Sequence, residues 1–246
     1  MIHFIIQARL GSTRLPNKIL LPFYRKECIL SIIIDKLGQL PDAEIILATT
    51  DNERDSPLAD IAKSHQVKLY RGSESDVLGR FIGAARQYGA NKIIRVCSDN
   101  PFLDLESLRT LLQEGKRSDA DYISFIVNGK PSIKTHFGFW AEFTTLDALE
   151  KVQATTQESI YHEHVTNYIY THPDQFRIKW LKTPDILNGR NDIRLTIDTF
   201  QDFTDAQVIY EKYIMDNMTI EDLVAYLDKN PEIIDKMKEE IKLNSK

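Results

Sequence analysis

The chain has 246 residues, of which 42% are hydrophobic and 27% are charged, and its formal net charge is −5 at pH 7. This size allows one substantial core, so we expect a single domain over residues 1–246. The acidic balance excludes general affinity for nucleic acid or acidic membranes, and no apolar run approaches the roughly 20 residues that span a bilayer.

The first segment, MIHFIIQAR, has no basic residues ahead of its apolar run. This pattern predicts a core strand rather than a signal peptide, and a cytoplasmic protein. Cys28 and Cys97 lie among apolar residues. We interpret both as buried free thiols rather than a disulfide or metal pair.

Short β-branched segments then alternate with helical patterns. The predicted strands are IHFII, AEIILAT, VKLY, NKIIRVC and ADYISFIV, and the predicted helices are ECILSIIIDKLGQL, ERDSPLADIAKSHQ, SDVLGRFIGAARQYG and DLESLRTLLQEG. In the third helix, Asp76 is a candidate N-cap and Gly89 a candidate C-terminal stop. The alternation predicts a doubly wound α/β fold with a mainly parallel sheet.

Beyond residue 130 the alternation weakens, and residues 130–190 are predicted to be an insertion. The segment KTHFGFWAEF is predicted to be extended, TLDALEKV and YHEHVTNYIYTH helical, FRIKWL a strand, and DIRLTID a strand that returns to the sheet before the helix QDFTDAQVIYEKYI. Thr219 caps the first of the C-terminal helices predicted within 216–246. Phe137, Phe139, Trp140 and Phe143 are interpreted as core or dimer contacts, and an exposed aromatic patch here would favour a homodimer.

The turn QARLGSTRLPNK after the first predicted strand carries three cations. Gly11 and Ser12 allow a tight turn that can present N–H groups to phosphate, while Arg9, Arg14 and Lys18 supply charge. With one glycine, the turn fits neither the P-loop nor the dinucleotide-binding motif. It is either a phosphate site or a surface loop with solvated cations.

Two aspartates follow other predicted strands. Asp99 comes after KIIRVCS, and Asp198 comes after IRLTI. Carboxyl ends of parallel strands meet at one edge of a sheet, where ligands bind. Each aspartate alone could be a helix N-cap, but together they offer the hard oxygen ligands that Mg²⁺ takes beside phosphates.

Three histidines, His136, His162 and His164, are further titratable candidates. The spacing of two between His162 and His164 does not suit a helical zinc pair. His164 is either a substrate contact or a half-buried histidine with a structural hydrogen bond.

Several segments together resemble the sugar cytidylyltransferases, the family of the CMP-Kdo and CMP-acylneuraminate synthetases. They are IIQARLGSTRLPNKIL, YRGSESDVLGRFIGAA, IIRVCSDNPFLD, GFWAEFTTLDALE, EHVTNYIYTHPDQFRI and IRLTIDTFQDF. Within this family the chain is most similar to the spore coat polysaccharide biosynthesis protein F type, over about 200 residues.

The resemblance implies a nucleotide-diphospho-sugar transferase fold of the glycosyltransferase A type, a CTP substrate and Mg²⁺. It implies that Arg9, Arg14 and Lys18 hold the triphosphate, that Asp99 and Asp198 bind the metal, and that Arg71, Gly72 and Ser73 lie near the nucleotide. We assign catalysis to Arg9, Lys18 and Asp99, and we also assign substrate binding to Ala8, Gly11, Ser12, Asn100, Glu142 and His164.

The hypothesis is transfer of CMP from CTP to a sugar acid, with release of pyrophosphate. A sugar-1-phosphate nucleotidyltransferase or a glycosyltransferase that uses a nucleotide sugar is the nearest alternative. A catalytically silent nucleotide-binding protein is a second.

Overall fold

The computed structural model describes residues 1–41 and 43–244. Its strands are β1 Ile2–Gln7, β2 Pro22–Tyr24, β3 Glu27–Cys28, β4 Ala43–Thr50, β5 Lys68–Gly72, β6 Lys92–Cys97, β7 Tyr122–Val127, β8 Lys130–Pro131, β9 Glu142–Thr145 and β10 Ile178–Lys182. Its helices are α1 Ile29–Gly38, α2 Pro57–Ser64, α3 Val77–Tyr88, α4 Leu105–Arg117, α5 Leu146–Thr155, α6 Ser159–Glu163, α7 Asn167–Thr171, α8 Phe200–Met215, α9 Ile220–Asp228 and α10 Pro231–Asn244.

One mixed sheet organises the fold. Its strand order is β10-β7-β9-β6-β1-β4-β5, with β8 paired to β7. The pairs β1–β4, β1–β6, β4–β5 and β7–β10 are parallel, whereas β9 runs antiparallel to both β6 and β7. The predicted mainly parallel α/β architecture is therefore confirmed.

Both faces of the central strand are covered. In β1, Phe4 and Ile6 belong to one buried apolar cluster and Ile5 belongs to another. Successive side chains of a strand point to opposite faces, so a continuous apolar run is what a doubly covered strand requires. This burial fixes where β1 ends and therefore where the polar turn after it begins.

The predicted limits of α3 are confirmed. The side chain of Asp76 accepts a hydrogen bond from the backbone N–H of Gly79 at 2.8 Å. Gly89 ends the helix in the left-handed region, with φ of 67°. Glycine adopts this conformation without the steric cost of a side chain.

The segment 192–198, predicted to return to the sheet as a strand, is not one. Its backbone is irregular, and the N–H groups of Leu195 and Ile197 donate to the carbonyl oxygens of His136 and Asp99 at 2.8 and 3.1 Å. Irregular loops, rather than a neighbouring strand, supply these acceptors. The alternation of apolar residues correctly predicted that this segment is buried, but it wrongly predicted that the segment pairs with the sheet.

Two further predictions need correction. The single helix predicted over 161–172 is broken into α6 and α7 at His164, whose backbone leaves the helical region with φ of −103° and ψ of 67°. The extended segment predicted over 134–143 joins the sheet only from Glu142.

Residues 130–190, which were predicted to be an insertion, contribute β9 and β10 to the main sheet. Four aromatic residues of this segment are buried, as the core interpretation requires: Phe137, Phe139, Trp140 and Phe143. These rings therefore do not supply the exposed patch on which the homodimer prediction was based. Helices α9 and α10 confirm the helical tail, and Thr219 caps α9.

Candidate active site

The turn after β1, residues 9–18, is called the basic turn. Asp55, which is fully buried, accepts a hydrogen bond from the backbone N–H of Leu10 at 2.7 Å. The N–H of Asn17 donates back to the carbonyl oxygen of Leu10 at 3.1 Å, and Asn17 has a positive φ of 59°. The turn closes on itself and directs the next residue, Lys18, toward the sheet.

Lys18 lies between the two predicted metal ligands. Its Nζ atom is 3.1 Å from Asp99 Oδ2 and 3.4 Å from Asp198 Oδ1, and it also donates to the carbonyl oxygen of Ile197. Arg14 Nη2 is 3.1 Å from Asp198 Oδ1. We call Arg14, Lys18, Asp99 and Asp198 the Lys18 cluster. Two separate loops and the basic turn meet there.

The ammonium of Lys18 stays protonated in this setting. Burial alone would lower the pKa of Lys18, but the carboxylates of Asp99 and Asp198 raise it above the ordinary value. The cluster therefore brings cationic and carboxylate side chains together at one place. The oxygens of a polyphosphate could bind the cations of the cluster, and the metal ion that accompanies the polyphosphate could bind the carboxylates.

Asp198 is held by the start of α8. Asp202 Oδ2 accepts the backbone N–H groups of Asp198 and Thr199 at 2.9 and 2.8 Å. The side chain of Thr199 in turn accepts the N–H of Asp202, which forms a capping box. Arg194 makes hydrogen bonds to both oxygens of Asp202 at 2.6 and 2.8 Å and places Nη2 3.2 Å from Asp198 Oδ2. This network fixes the second carboxylate of the cluster.

A second group of charges lies deeper. The Glu142 carboxylate is 1% exposed and receives hydrogen bonds from Arg95 Nη1 at 2.5 Å, from Thr166 Oγ1 at 3.1 Å and from the Tyr122 hydroxyl. We call these four residues the Glu142 cluster. Burial raises the pKa of Tyr122, and Glu142 adds to this effect. The carboxylate of Glu142, a residue predicted to bind substrate, is hydrogen-bonded to these three side chains.

A cavity of about 540 Å³ extends between the two clusters. Its lining includes Arg14, Asp99 and Asp198 of the first and Arg95 and Thr166 of the second. Asn100 and His164, both predicted substrate-binding residues, also line it. The cavity is large enough for a small-molecule ligand.

Other predicted residues shape the basic turn. Ala8 is buried at the end of β1, and Ser12 Oγ accepts the N–H of Leu15 at 3.4 Å. A Cβ atom at Gly11 would lie 2.3 Å from a guanidinium nitrogen of Arg54. Any other residue at Gly11 would therefore have to displace Arg54.

Arg71 and Ser73, at the end of β5, make hydrogen bonds within the protein. Arg71 Nε donates to the Thr50 carbonyl at 2.9 Å, and Nη2 donates to the Asn52 carbonyl at 2.8 Å. Ser73 Oγ accepts the N–H of Asp76 at 3.0 Å. The observed bonds hold the loops after β4 and β5 together.

Arg80 lies beneath this loop and was not among the predicted site residues. It is 1% exposed, and its Nη1 donates to the Ser73 carbonyl at 2.6 Å, whereas Nε and Nη2 have no hydrogen-bond partner in the part of the chain described. Burial, together with the charge of exposed Arg9, lowers the pKa of Arg80. A Cβ at Gly72 would lie 2.9 Å from the Tyr70 ring. Gly72 therefore packs closely against Tyr70, and Arg80 lies beside the loop that Gly72 and Ser73 begin.

Sequence reasoning did not single out Arg194, Asp202 or Asn244, which surround the Lys18 cluster, and it named His136 only as a titratable candidate. His136 Nδ1 faces Arg194 Nη1 at 2.9 Å, and since arginine can only donate, Nδ1 is the acceptor. Burial and Arg194 lower the pKa of His136. Asn244 accepts from Arg14 Nη1 at 2.9 Å. The spacing of Arg194, Asp198 and Asp202 by four was a usable signal, but nothing near Asn244 marked it.

The donor set fits a hard divalent cation. Asp99 and Asp198 supply carboxylate oxygens, each partly exposed and each lining the cavity. In residues 1–41 and 43–244, no group of three or more His, Cys, Asp or Glu side chains is arranged to hold a metal ion. Two carboxylates alone suit an ion that takes its remaining ligands from phosphates and water, as Mg²⁺ does.

Comparison with known proteins identifies the family of this chain. The model of the cytidylyltransferase family matches residues 3–238. The chain belongs to the cytidylyltransferase family. Membership makes the protein a nucleotidyltransferase, and the resemblance to sugar cytidylyltransferases is confirmed.

Individual relatives agree with this family. The chain is 34% identical over 241 residues to the spore coat polysaccharide biosynthesis protein SpsF of Bacillus subtilis, covering 94% of this chain and 95% of that protein. A cytidylyltransferase structure from Leptospira borgpetersenii is 28% identical, with a TM-score of 0.78 and coverage of 95% and 96%.

A CMP:2-keto-3-deoxy-manno-octonic acid synthetase complexed with CTP shares the fold, with a TM-score of 0.65, 14% identity, and coverage of 86% of this chain and 99% of that one. The expected nucleotide-diphospho-sugar transferase fold is thus confirmed. No helix among the described residues is long and apolar enough to cross a membrane.

Proposed function

We propose that this cytidylyltransferase family member transfers CMP from CTP to a hydroxyl of a sugar acid, with Mg²⁺, and releases pyrophosphate for polysaccharide synthesis. The observation that carries the proposal is the Lys18 ammonium between Asp99 and Asp198 at a cavity, with Arg14 on Asp198. SpsF is named for polysaccharide synthesis, and a structural neighbour was solved with CTP.

The phosphates of CTP would lie against the basic turn. Lys18 and Arg14 would donate to the β- and γ-phosphate oxygens and offset charge as pyrophosphate leaves. Arg9, the exposed first residue of the basic turn, would add a third cation for the phosphates. Little covalent chemistry is needed from the protein, because phosphoryl and nucleotidyl transfer depend on positioning and charge neutralisation.

Asp99 and Asp198 would hold Mg²⁺, which supplies Lewis-acid stabilisation of the phosphate oxygens when bound. Asp202 and Arg194 keep Asp198 oriented, and the Lys18 ammonium reduces repulsion between the two carboxylates before the ion arrives.

The carboxylate of a sugar acid would complement a cation of the cavity, Lys134, that has no carboxylate partner in the described chain. Arg14 and Arg95 face carboxylates of the protein, but Lys134, another lining residue, forms no ion pair with any carboxylate of the described chain. Lys134 Nζ lies 5.8 Å from the centroid of the Tyr170 ring, which also lines the cavity. An acceptor carboxylate would find an uncompensated cation at Lys134.

The test is a matrix of nucleotides and acceptors. The protein is incubated with each NTP, Mg²⁺, and either sugar acids, sugar 1-phosphates or neutral sugars, and pyrophosphate is measured. We expect release only with CTP and a sugar acid. Release with a sugar 1-phosphate instead would support the nearest alternative, and release of a nucleotide from a nucleotide sugar would indicate a glycosyltransferase.

Nucleotide binding without turnover on any acceptor would favour a silent binding protein. The same reactions with EDTA test the metal, since chelation should abolish release and added Mg²⁺ should restore it. Homodimer formation and a cytoplasmic location stay predictions.

A further inference from the structure

The last turn of α10 contacts the basic turn. Asn244 Oδ1 accepts a hydrogen bond from Arg14 Nη1 at 2.9 Å, while Arg14 Nη2 lies 3.1 Å from Asp198 Oδ1. All three residues line the cavity. The guanidinium is thus held on two nitrogens, by a cluster carboxylate and by a residue 230 positions away in the chain.

Asn244 is itself held by Glu240, one turn earlier. Asn244 Nδ2 donates to the backbone oxygen of Glu240 at 2.9 Å and to Glu240 Oε2 at 3.1 Å. The same Oε2 accepts from Thr199 Oγ1 at 3.1 Å. A continuous chain of hydrogen bonds therefore runs from the start of α8, next to Asp198, through α10 to the guanidinium of Arg14.

Packing keeps α10 in this place. Ile234 and Met237 are buried, and Met237 Sδ accepts the backbone N–H of Arg194 at 3.4 Å. The helix is docked on the segment that carries the second carboxylate of the Lys18 cluster. Its last turn, carrying Glu240 and Asn244, is thereby brought to the edge of the cavity.

We propose that Asn244 and Glu240 are positioning residues that orient the guanidinium of Arg14 for the triphosphate. This inference rests on the proposed function. The Arg14 side chain is 41% exposed, so without Asn244 it would lose more rotamer freedom on binding phosphate. Both residues lie beyond residue 238, the last one matched by the family model. The family match therefore does not include them.

The test compares three alanine variants of one helix. Asn244→Ala and Glu240→Ala remove the two positioning side chains, and Glu239→Ala is the control because Glu239 is exposed. We measure kcat and KM for CTP by pyrophosphate release, and the Kd of inorganic tripolyphosphate by calorimetry. We expect Asn244→Ala to raise KM and Kd about tenfold, with kcat within about twofold, and Glu240→Ala to raise them about threefold. Glu239→Ala should match the wild type.

A double-mutant cycle with Arg14→Ala decides whether Asn244 acts through Arg14. In the Arg14→Ala background, Asn244→Ala should weaken tripolyphosphate binding no further, since the group to be oriented is gone. A general loss of stability would instead add to the effect of Arg14→Ala. Additive effects, or wild-type affinity in Asn244→Ala alone, would overturn the proposal.

The two proposals fail separately. If the wild type releases no pyrophosphate from any nucleotide but tripolyphosphate binding still shows the coupling of Arg14 with Asn244, the proposed function fails and the positioning role stands. If CTP is turned over and the Asn244→Ala variant behaves as the wild type, only the positioning role fails.

Discussion

The Lys18 cluster and the Glu142 cluster both join cations to carboxylates at the same cavity, but they differ in burial. In the first, the side chains of Asp99 and Asp198 are 31% and 27% exposed, although that of Lys18 is only 11% exposed. Lys18 and Arg14 come from the basic turn, and Arg194 also contacts Asp198. In the second, Arg95 and Glu142 are nearly inaccessible, and Thr166 and Tyr122 complete the bonding of the carboxylate.

This difference separates a site that can exchange partners from one that cannot. Removing one partner of a fully buried ion pair leaves an uncompensated charge away from water, which is strongly unfavourable, whereas a carboxylate that is open to the cavity can exchange its partner for a ligand. The Lys18 cluster is therefore suited to chemistry. The Glu142 cluster is suited to fixing β9 against β6 and the cavity wall.

The largest expected effect is on catalysis. Asp99→Ala should lower pyrophosphate release by at least about 10³-fold, because it removes one of two carboxylates that would hold Mg²⁺. The midpoint of thermal unfolding should change little, since Asp99 is partly exposed. Asp60→Ala, at an exposed position of α2, is the control. Retention of most of the wild-type rate in Asp99→Ala would contradict the metal assignment.

The Glu142 cluster should respond in stability instead. Glu142→Ala leaves Arg95 as a buried unpaired charge and should reduce the free energy of unfolding by about 3 kcal/mol or more in urea denaturation. Glu150→Ala removes a surface carboxylate whose partner is Arg86 at 2.8 Å, and should cost less than about 1 kcal/mol. Equal losses in the two variants would remove the distinction between the clusters.

Lys18→Met tests the cation of the first cluster. We expect kcat/KM for CTP to fall about 10²-fold, because Lys18 would bind the leaving phosphates. Stability should be retained, as Arg14 and Arg194 still contact Asp198. Lys63→Met, at an exposed position of α2, controls for loss of charge. Unchanged kinetics in Lys18→Met would mean that Lys18 only pairs the carboxylates.

The smallest effect concerns an ion pair outside both clusters. His162 Nδ1 lies 2.8 Å from Asp76 Oδ1, and Nε2 lies 3.1 Å from the Thr156 carbonyl. Burial alone would lower the pKa of His162, but these acceptors raise it above 6.5. The stabilisation is therefore complete below pH 6.5 and is lost as pH rises through the folded-state pKa.

The measurement is urea denaturation of wild type and His162→Gln at pH 6 and pH 8.5. The free energy of unfolding of the wild type should exceed that of His162→Gln by less than about 1 kcal/mol at pH 6, and the difference should disappear at pH 8.5. A difference in the free energy of unfolding that grows with pH would contradict the assigned charge state.

Patterns local to the chain predicted the elements well. The apolar run of β1 and the cap residues Asp76 and Gly89 specify their elements through nearby interactions alone, and the structure confirms them. The segment 192–198 was mistaken for a strand because alternation reports burial and does not report which backbone lies alongside. The hairpin of β2 and β3 was also missed, since its turn has Arg25 and Lys26 at positive φ in place of the usual glycine or asparagine.

The same limit applies to the site. The rule that strand ends converge correctly brought the basic turn and Asp99 together, and the structure joins them through Lys18. Asp198 also reaches Lys18, but from an irregular segment rather than from the predicted strand. The sequence shows the carboxylate of Glu142 but not its partners, so its buried pairing with Arg95 was not foreseen. Asn244 had no signal, because its contact depends on how a C-terminal helix docks.

The pairing of Arg14 with Asn244 also has a consequence for synthesis. The basic turn leaves the ribosome early, while α10 leaves after all the other elements described here, and domains complete their packing only when the required segments have emerged. Arg14 therefore cannot contact Asn244 until residue 244 has been synthesised and has left the ribosome. A truncated polypeptide that stops within α9 would carry every residue of both clusters and still lack the Arg14–Asn244 contact.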